Sequence, residues 1–161
     1  MRLLQRAPAS QAREMPPLPP QDLPSREILE QANQLALKEH DLATKAFTKG
    51  DGVAAEDAAI RSIAFSHWAH DRLGRAMSFM LLGSIERFLL KYPNEAVQSY
   101  FQALDLFEAL LPSSDTANQA YEPLATQLAL YLKELKDPKR AEAVLERLSV
   151  VKEWQDNERR S

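Results

Sequence analysis

Apolar residues recur at intervals of three and four from Ser25 onward, in a background of Ala, Leu, Glu, Lys and Gln. This spacing puts apolar side chains on one face of a helix, and the alternating β-branched runs that indicate strands are almost absent. The body of the chain is therefore predicted to be all-α. With 161 residues, 45% of them apolar and none of them Cys, it can bury a core without disulfides.

Turn and capping residues divide this body into about six antiparallel helices. The expected helices span about residues 26–49, 53–73, 75–91, 95–111, 115–136 and 138–153. Ser25 and Asp137 are expected N-caps, and Gly74 is expected to mark either the end of the second helix or a tight joint. Three helical hairpins are thus predicted, in a domain over residues 25–155 that is followed by a frayed tail over 156–161.

Residues 1–24 form a different segment, because they hold six of the ten prolines. Closely spaced prolines exclude helices and strand ladders, so a disordered Pro-rich tail is expected. Its PPLPP run at 16–20 is typical of SH3 or WW ligands, but such runs are commoner as spacers. Arg2, Arg6 and Arg13, with no acid in the first 13 residues, are typical of a mitochondrial targeting segment. We expect a cytoplasmic protein, with a mitochondrial location as the alternative.

Charge and hydropathy exclude two classes of ligand. The formal net charge is −3 and the pI is about 5.7, whereas nucleic-acid binding needs clustered Lys and Arg. No nucleic-acid partner is therefore expected. The longest apolar stretch, residues 77–85, is far shorter than the roughly 20 residues that cross a bilayer. No membrane span is expected either.

A pattern of small and large residues recurs along the chain. It consists of Phe79, Leu82 and Gly83 followed by Ala96, Tyr100, Ala103 and Leu104, and then of Leu128, Ala129 and Leu132 followed by Ala141, Leu145 and Leu148. Where two antiparallel helices cross, a small residue on one admits a large residue of the other. The pattern therefore indicates helical hairpins that pack in a repeated way.

These residues resemble the tetratricopeptide (TPR) repeat, and the segment LALYLKELKDPKRAEAVLERL at 128–148 is most similar to the longer repeats of kinesin light chains. The resemblance covers residues 75–150 well and 26–74 loosely, and it implies a right-handed stack of hairpins. The interval is 41 residues from Ala55 to Ala96 and 45 from Ala96 to Ala141, against about 34 in the standard repeat. Helices that are longer by two or three turns would keep the packing face in phase. A generic six-helix bundle is the alternative.

The resemblance also implies a groove, because the first helices of successive TPR hairpins line a concave surface that binds a peptide or helix of a partner. The residues implied to line it are His40, Thr44, Phe47, Met80, Ser84, Arg87, Thr126, Leu130 and Lys133. The Lys and Asn clamp of chaperone-cofactor TPR domains is not matched at these positions. The chain is accordingly expected to be an adaptor, chaperone or assembly factor without chemistry of its own.

Acidic residues dominate one stretch of the sequence, since no Lys or Arg occurs from Tyr92 to Leu132. The carboxylates of this stretch are Glu95, Asp105, Glu108, Asp115 and Glu122. An acidic face made of them would favour a basic or amphipathic helical segment of a partner protein. The other interpretation is a solvated face that merely lacks bases.

Chemistry-bearing motifs are scarce. His67 and His70 lie three residues apart on one helical face and could form a metal-binding arm, but no further ligand pattern accompanies them. No enzyme, cofactor or metal is therefore expected, and a metal-binding helical enzyme is the weakest alternative. The stronger alternative is a structural subunit of a homodimer or larger complex, which would permanently bury the apolar third and fourth helices.

Overall fold

The computed structural model describes residues 25–161, so the expectations for the Pro-rich segment fall outside the described residues. Over the described range the chain forms six α-helices and one short π-helical segment, without a strand. The all-α prediction is confirmed. None of the helices in this range combines the length and apolar character needed to cross a bilayer.

The helices follow the predicted order. They are α1 (Arg26–Lys49), α2 (Gly52–Trp68), α3 (Arg72–Ile85), the π-helical segment (Glu86–Leu90), α4 (Pro93–Leu110), α5 (Asp115–Glu134) and α6 (Pro138–Arg160). Both predicted N-caps are confirmed. The Ser25 hydroxyl accepts a hydrogen bond from the Ile28 N–H at 3.3 Å, and an Asp137 carboxylate oxygen accepts one from the Arg140 N–H at 3.2 Å.

The joint between α2 and α3 differs from the sequence prediction. α2 ends at Trp68, and His70 adopts a left-handed conformation with φ 55°. Asp71 then caps α3 by accepting a hydrogen bond from the Gly74 N–H at 2.8 Å. Gly74 therefore does not end the second helix, and it lies instead at the tight joint that was the other expectation for this residue. Gly74 lies in the first turn of α3, where the absence of a Cβ lets the Asp71 carboxylate approach.

Three other boundaries also differ from those expected. The predicted third helix is split into α3 and the π-helical segment. This segment ends at Lys91, which adopts a left-handed conformation with φ 58°. α4 begins at Pro93, a residue whose fixed φ suits the first turn. α6 continues to Arg160 instead of ending near residue 153.

The chain divides into two compact units, with the boundary inside α4 between Ala103 and Leu104. In the first unit α2 packs on both α1 and α3. The close approach of these helices depends on small residues, since Ala43 of α1 and Ala55 and Ala59 of α2 are fully buried. A short polar chain crosses this core: the Ser62 hydroxyl donates to the Ala36 carbonyl at 2.9 Å and lies 2.8 Å from the Ser78 hydroxyl.

The second unit is built around the hairpin of α5 and α6. Its buried apolar side chains include Leu124, Leu128 and Leu132 of α5 and Val144, Leu148 and Val151 of α6. Ala141 and Leu148 are buried, as the repeat pattern predicts. Leu145, which belongs to the same pattern, is 37% exposed to solvent.

Candidate functional site

An open groove of about 1230 Å³ runs along α5 in the second unit. We call it the α5 groove, and its lining residues are Leu111, Pro112, Asp115, Asn118, Gln119, Glu122, Pro123, Thr126, Gln127, Leu130, Trp154, Gln155, Glu158 and Arg159. Most of them recur every three or four residues on α5, so a single face of this helix forms one wall. The α4–α5 turn, with Leu111 and Pro112, and the C-terminal part of α6 supply the rest.

Hydrogen bonds fix the end of the α5 groove nearest the α4–α5 turn. The Asn118 side-chain amide donates to the carbonyls of Leu111 and Ser114 at 2.7 and 2.9 Å. Its oxygen accepts a hydrogen bond from Gln155 Nε2 at 2.9 Å. The turn, α5 and α6 are thus held together through one side chain, next to the partly buried Trp154. These hydrogen bonds fix the geometry of this end of the groove.

Pro123 lies inside α5, within the groove-lining face. Proline has no N–H, so the carbonyl of Gln119 lacks the hydrogen-bond donor that residue i+4 normally supplies in a helix. Both residues line the α5 groove. The hydrogen-bond pattern of α5 is therefore interrupted within the face that lines the groove.

The α5 groove combines acidic and apolar character. Among the described residues it is lined by the carboxylates of Asp115, Glu122 and Glu158 and by one guanidinium, that of Arg159. Glu122 pairs with Lys152 at 3.2 Å, but half of each side chain is exposed, so water weakens the pair. Leu130 is 56% exposed in the same groove. The surface is therefore suited to cationic and apolar groups together.

Two of the predicted acidic residues lie instead at a cluster around Arg147. Its guanidinium donates to Asp105 Oδ1 at 2.7 Å and to Glu108 Oε2 at 3.2 Å, while the Tyr121 hydroxyl donates to Glu108 Oε1 at 2.7 Å. Burial lowers the pKa of Arg147, but the hydrogen bonds that its guanidinium donates to Asp105 and Glu108 outweigh this effect and raise the pKa above its ordinary value. Burial, together with the Glu108 hydrogen bond and charge, raises the pKa of Tyr121.

The predicted acidic residues therefore separate into groups. Asp115 and Glu122 line the α5 groove, whereas Asp105 and Glu108 pair with Arg147. Glu95 is partly buried in the first unit. Arg147 and Lys152 of α6 supply the cations that the 92–132 stretch lacks, and they pair across helices with Asp105, Glu108 and Glu122.

The residues predicted to line a groove in the second unit are partly brought together. Thr126 and Leu130 lie in the α5 groove, and Lys133 is exposed but not part of its lining. Sequence reasoning missed Asn118, Pro123 and Gln155. The spacing of Asn118 by four residues from Glu122, and of Glu122 by four from Thr126, is a signal that could have found the first of them.

In the first unit the predicted groove residues form internal contacts. His40 Nδ1 lies 3.2 Å from the Ser78 hydroxyl, and the Ser84 hydroxyl lies 3.0 Å from the Tyr100 hydroxyl. Burial lowers the pKa of His40, an effect that the charge of Asp41 opposes. Arg87 stacks on the Phe88 ring, with Cζ 4.6 Å from the ring centre. Thr44 is exposed, and Phe47 and Met80 are partly buried.

The histidine pair lies at the joint between α2 and α3. His67 Nδ1 is 2.7 Å from Arg75 Nη1. Across residues 25–161 no group of three or more His, Cys, Asp or Glu side chains is arranged to hold a metal ion.

Comparison of the chain with protein-family models, with curated proteins and with solved structures found no match.

Proposed function

We propose that this protein is a non-catalytic protein-binding module, an adaptor, chaperone or assembly factor, whose α5 groove binds a basic and apolar segment of a partner. The proposal rests on one observation. The same open groove contains exposed apolar side chains and carboxylates that are incompletely neutralised. The TPR-like arrangement of small and large residues supports it, because stacked helical hairpins generally serve as binding scaffolds.

The dimensions of the α5 groove suit a peptide segment. It extends along α5 from Asp115 to Leu130, which corresponds to roughly 22 Å at about 1.5 Å per residue. An extended segment of six or seven residues, or a helix of about four turns, has this length. The bound segment would place apolar side chains against Leu130 and Trp154, and basic side chains near Asp115 and Glu158.

The alternative, a structural subunit of a homo-oligomer or larger complex, is favoured by a different observation. On α1 the side chains of Ile28, Leu35 and Leu42 are exposed by 53, 42 and 42%. They are spaced by seven residues and therefore lie on one side of the helix. Such a stripe can pack against a helix of another chain.

A peptide-library selection against the immobilised full chain tests the proposed function. Enriched peptides should combine Lys or Arg with large apolar residues. Leu130→Glu should weaken binding of an enriched peptide by at least about tenfold, because burying a leucine contributes about 1.5–3 kcal/mol.

Leu145→Glu is the matched control, since Leu145 is an exposed leucine of the same unit that does not line the α5 groove. This variant should bind the peptide as the parent chain does. Equal binding by both variants, or enrichment of acidic peptides, would refute the assignment of the groove.

A further inference from the structure

A small polar cavity of about 260 Å³ lies at the joint between α2 and α3, in the first unit and separate from the α5 groove. We call it the basic notch, and it is lined by Ser66, His67, His70, Asp71, Arg72 and Arg75. Four of these six side chains are basic. The left-handed conformation of His70, with φ 55°, produces the sharp change of direction that brings residues of both helices to the same cavity.

The contact between Arg75 and His67 defines which hydrogen-bond donors the basic notch offers. A guanidinium only donates hydrogen bonds, so in the 2.7 Å contact His67 Nδ1 must be the acceptor. The imidazole is then neutral and carries its proton on Nε2, which is a donor. Burial, followed by the charges of Arg75 and His70, lowers the pKa of His67 and favours this neutral form.

Positive charge in the basic notch is incompletely compensated. Asp71 is its only carboxylate among the described lining residues, and one oxygen of that carboxylate is used to cap α3. Neither Arg72 nor Arg75 forms an ion pair with a carboxylate anywhere in residues 25–161. Burial and the charge of Arg72 also lower the pKa of Arg75, so a bound anion would relieve an unfavourable arrangement.

We propose that the basic notch binds a phosphoryl group, either as inorganic phosphate or as a phosphomonoester. Two guanidiniums and an imidazole that line one cavity match the charge of a dianion and offer donors for several of its oxygens. A carboxylate offers only two oxygens and one negative charge, so it would leave part of this donor set unused. The cavity is large enough for one tetrahedral oxyanion and too small for the body of a large ligand.

An NMR titration of the full ¹⁵N-labelled chain with inorganic phosphate, at constant ionic strength set by chloride, tests the proposal. Saturable shifts should be confined to residues of the α2–α3 joint. The pKa of His67 should rise when phosphate is bound, since a nearby anion favours the imidazolium. Arg75→Gln should weaken phosphate binding by at least about tenfold, the loss expected for a charge-assisted hydrogen bond of about 1.5–3 kcal/mol.

Arg140→Gln is the matched control, because Arg140 also lies in the first turn of a helix capped by aspartate, but without histidines. It should leave phosphate binding unchanged. Arg72→Gln serves as a second variant, since Arg72 is exposed and its replacement leaves the core intact.

A parallel titration with O-phosphoserine separates the two sources of the ligand. Binding at least as tight as that of inorganic phosphate would indicate a phosphomonoester, and binding of inorganic phosphate alone would indicate the free ion. Either result supports the proposal. Absence of saturation with both ligands, or equal affinity in the parent chain and in Arg72→Gln, would overturn it.

Discussion

The pairing of Gly83 with Tyr100 shows how a single small residue sets the separation of two helices. A Cβ at Gly83 would lie 2.8 Å from two carbons of the Tyr100 ring. Tyr100 is fully buried, and its hydroxyl is close to that of Ser84, so the ring has little room to move. The sequence pattern predicts that a small residue on one helix admits a large residue of the next helix. In the structure Gly83 and Tyr100 form such a pair.

Gly83→Ala should therefore destabilise the protein. Alanine is favoured over glycine in a helix by about 1 kcal/mol, but an overpacked core costs about 1–3 kcal/mol. We expect a net loss of about 1 kcal/mol in the free energy of unfolding, measured with urea. In a Tyr100→Leu background the same change should cost less, because the clashing ring is gone. A stabilising effect in the parent background would contradict this packing.

His40 adds a pH dependence to the stability of the first unit. Burial lowers its pKa in the folded state, while in the unfolded chain the pKa is near 6.5. The unfolded chain therefore binds a proton more readily. The contribution of neutral His40 is complete above about pH 6.5 and is lost as the pH falls through the folded-state pKa.

Urea unfolding at about pH 7.5 and about pH 5.5, on either side of the unfolded pKa, should show this loss. In His40→Gln the decrease in stability between the two pH values should be smaller than in the parent chain. The carboxylates contribute equally to both proteins, so the comparison isolates the imidazole. An identical decrease in the two proteins would show that His40 is not responsible.

At the scale of the elements, α6 organises the second unit through charges as well as apolar packing. Arg147 links it to α4 through Asp105 and Glu108, and the Tyr121 hydroxyl of α5 shares the Glu108 carboxylate. About a third of the Arg147 side chain is exposed, so solvent screens the pairs only in part. Three helices thus meet at one carboxylate.

Arg147→Met should lower the free energy of unfolding by about 1–2 kcal/mol, because it leaves Glu108 beside Tyr121 without its cation. Arg159→Met on the same helix is the control. The Arg159 pair with Asp156 is long, at 4.0 Å, and exposed, so its loss should stay within about 0.5 kcal/mol. Comparable effects of the two substitutions would argue against a structural role for the cluster.

Local patterns in the sequence predicted the helices well. Contacts between residues far apart in the chain could not be predicted from it. Ser25 and Asp137 were identified as caps because capping depends on residues three apart in the chain. The role of Gly74 stayed open between two alternatives, because a glycine that ends a helix and one that makes room for a capping carboxylate look alike in sequence. The contacts of Arg147 join residues about 40 positions apart, and spacing within a single helix contains no information about them.

At the scale of the whole molecule, the two functional interpretations differ in what covers the exposed apolar residues. A stable dimer buries about 800 Å² per partner. The stripe of Ile28, Leu35 and Leu42 on α1 consists of three partly exposed side chains, which falls well short of that area. The chain also carries a net charge of −3, and like charges disfavour the approach of two identical copies.

We therefore expect the full chain to be a monomer of 18.2 kDa in light scattering after size exclusion, at every concentration from low to high micromolar. A monomer keeps the α5 groove accessible, which the adaptor function requires. A dimer that persists on dilution would favour the structural-subunit interpretation. Leu35→Glu would then locate the interface, since it should dissociate a dimer formed through α1, while Leu130→Glu should dissociate one formed through the α5 groove.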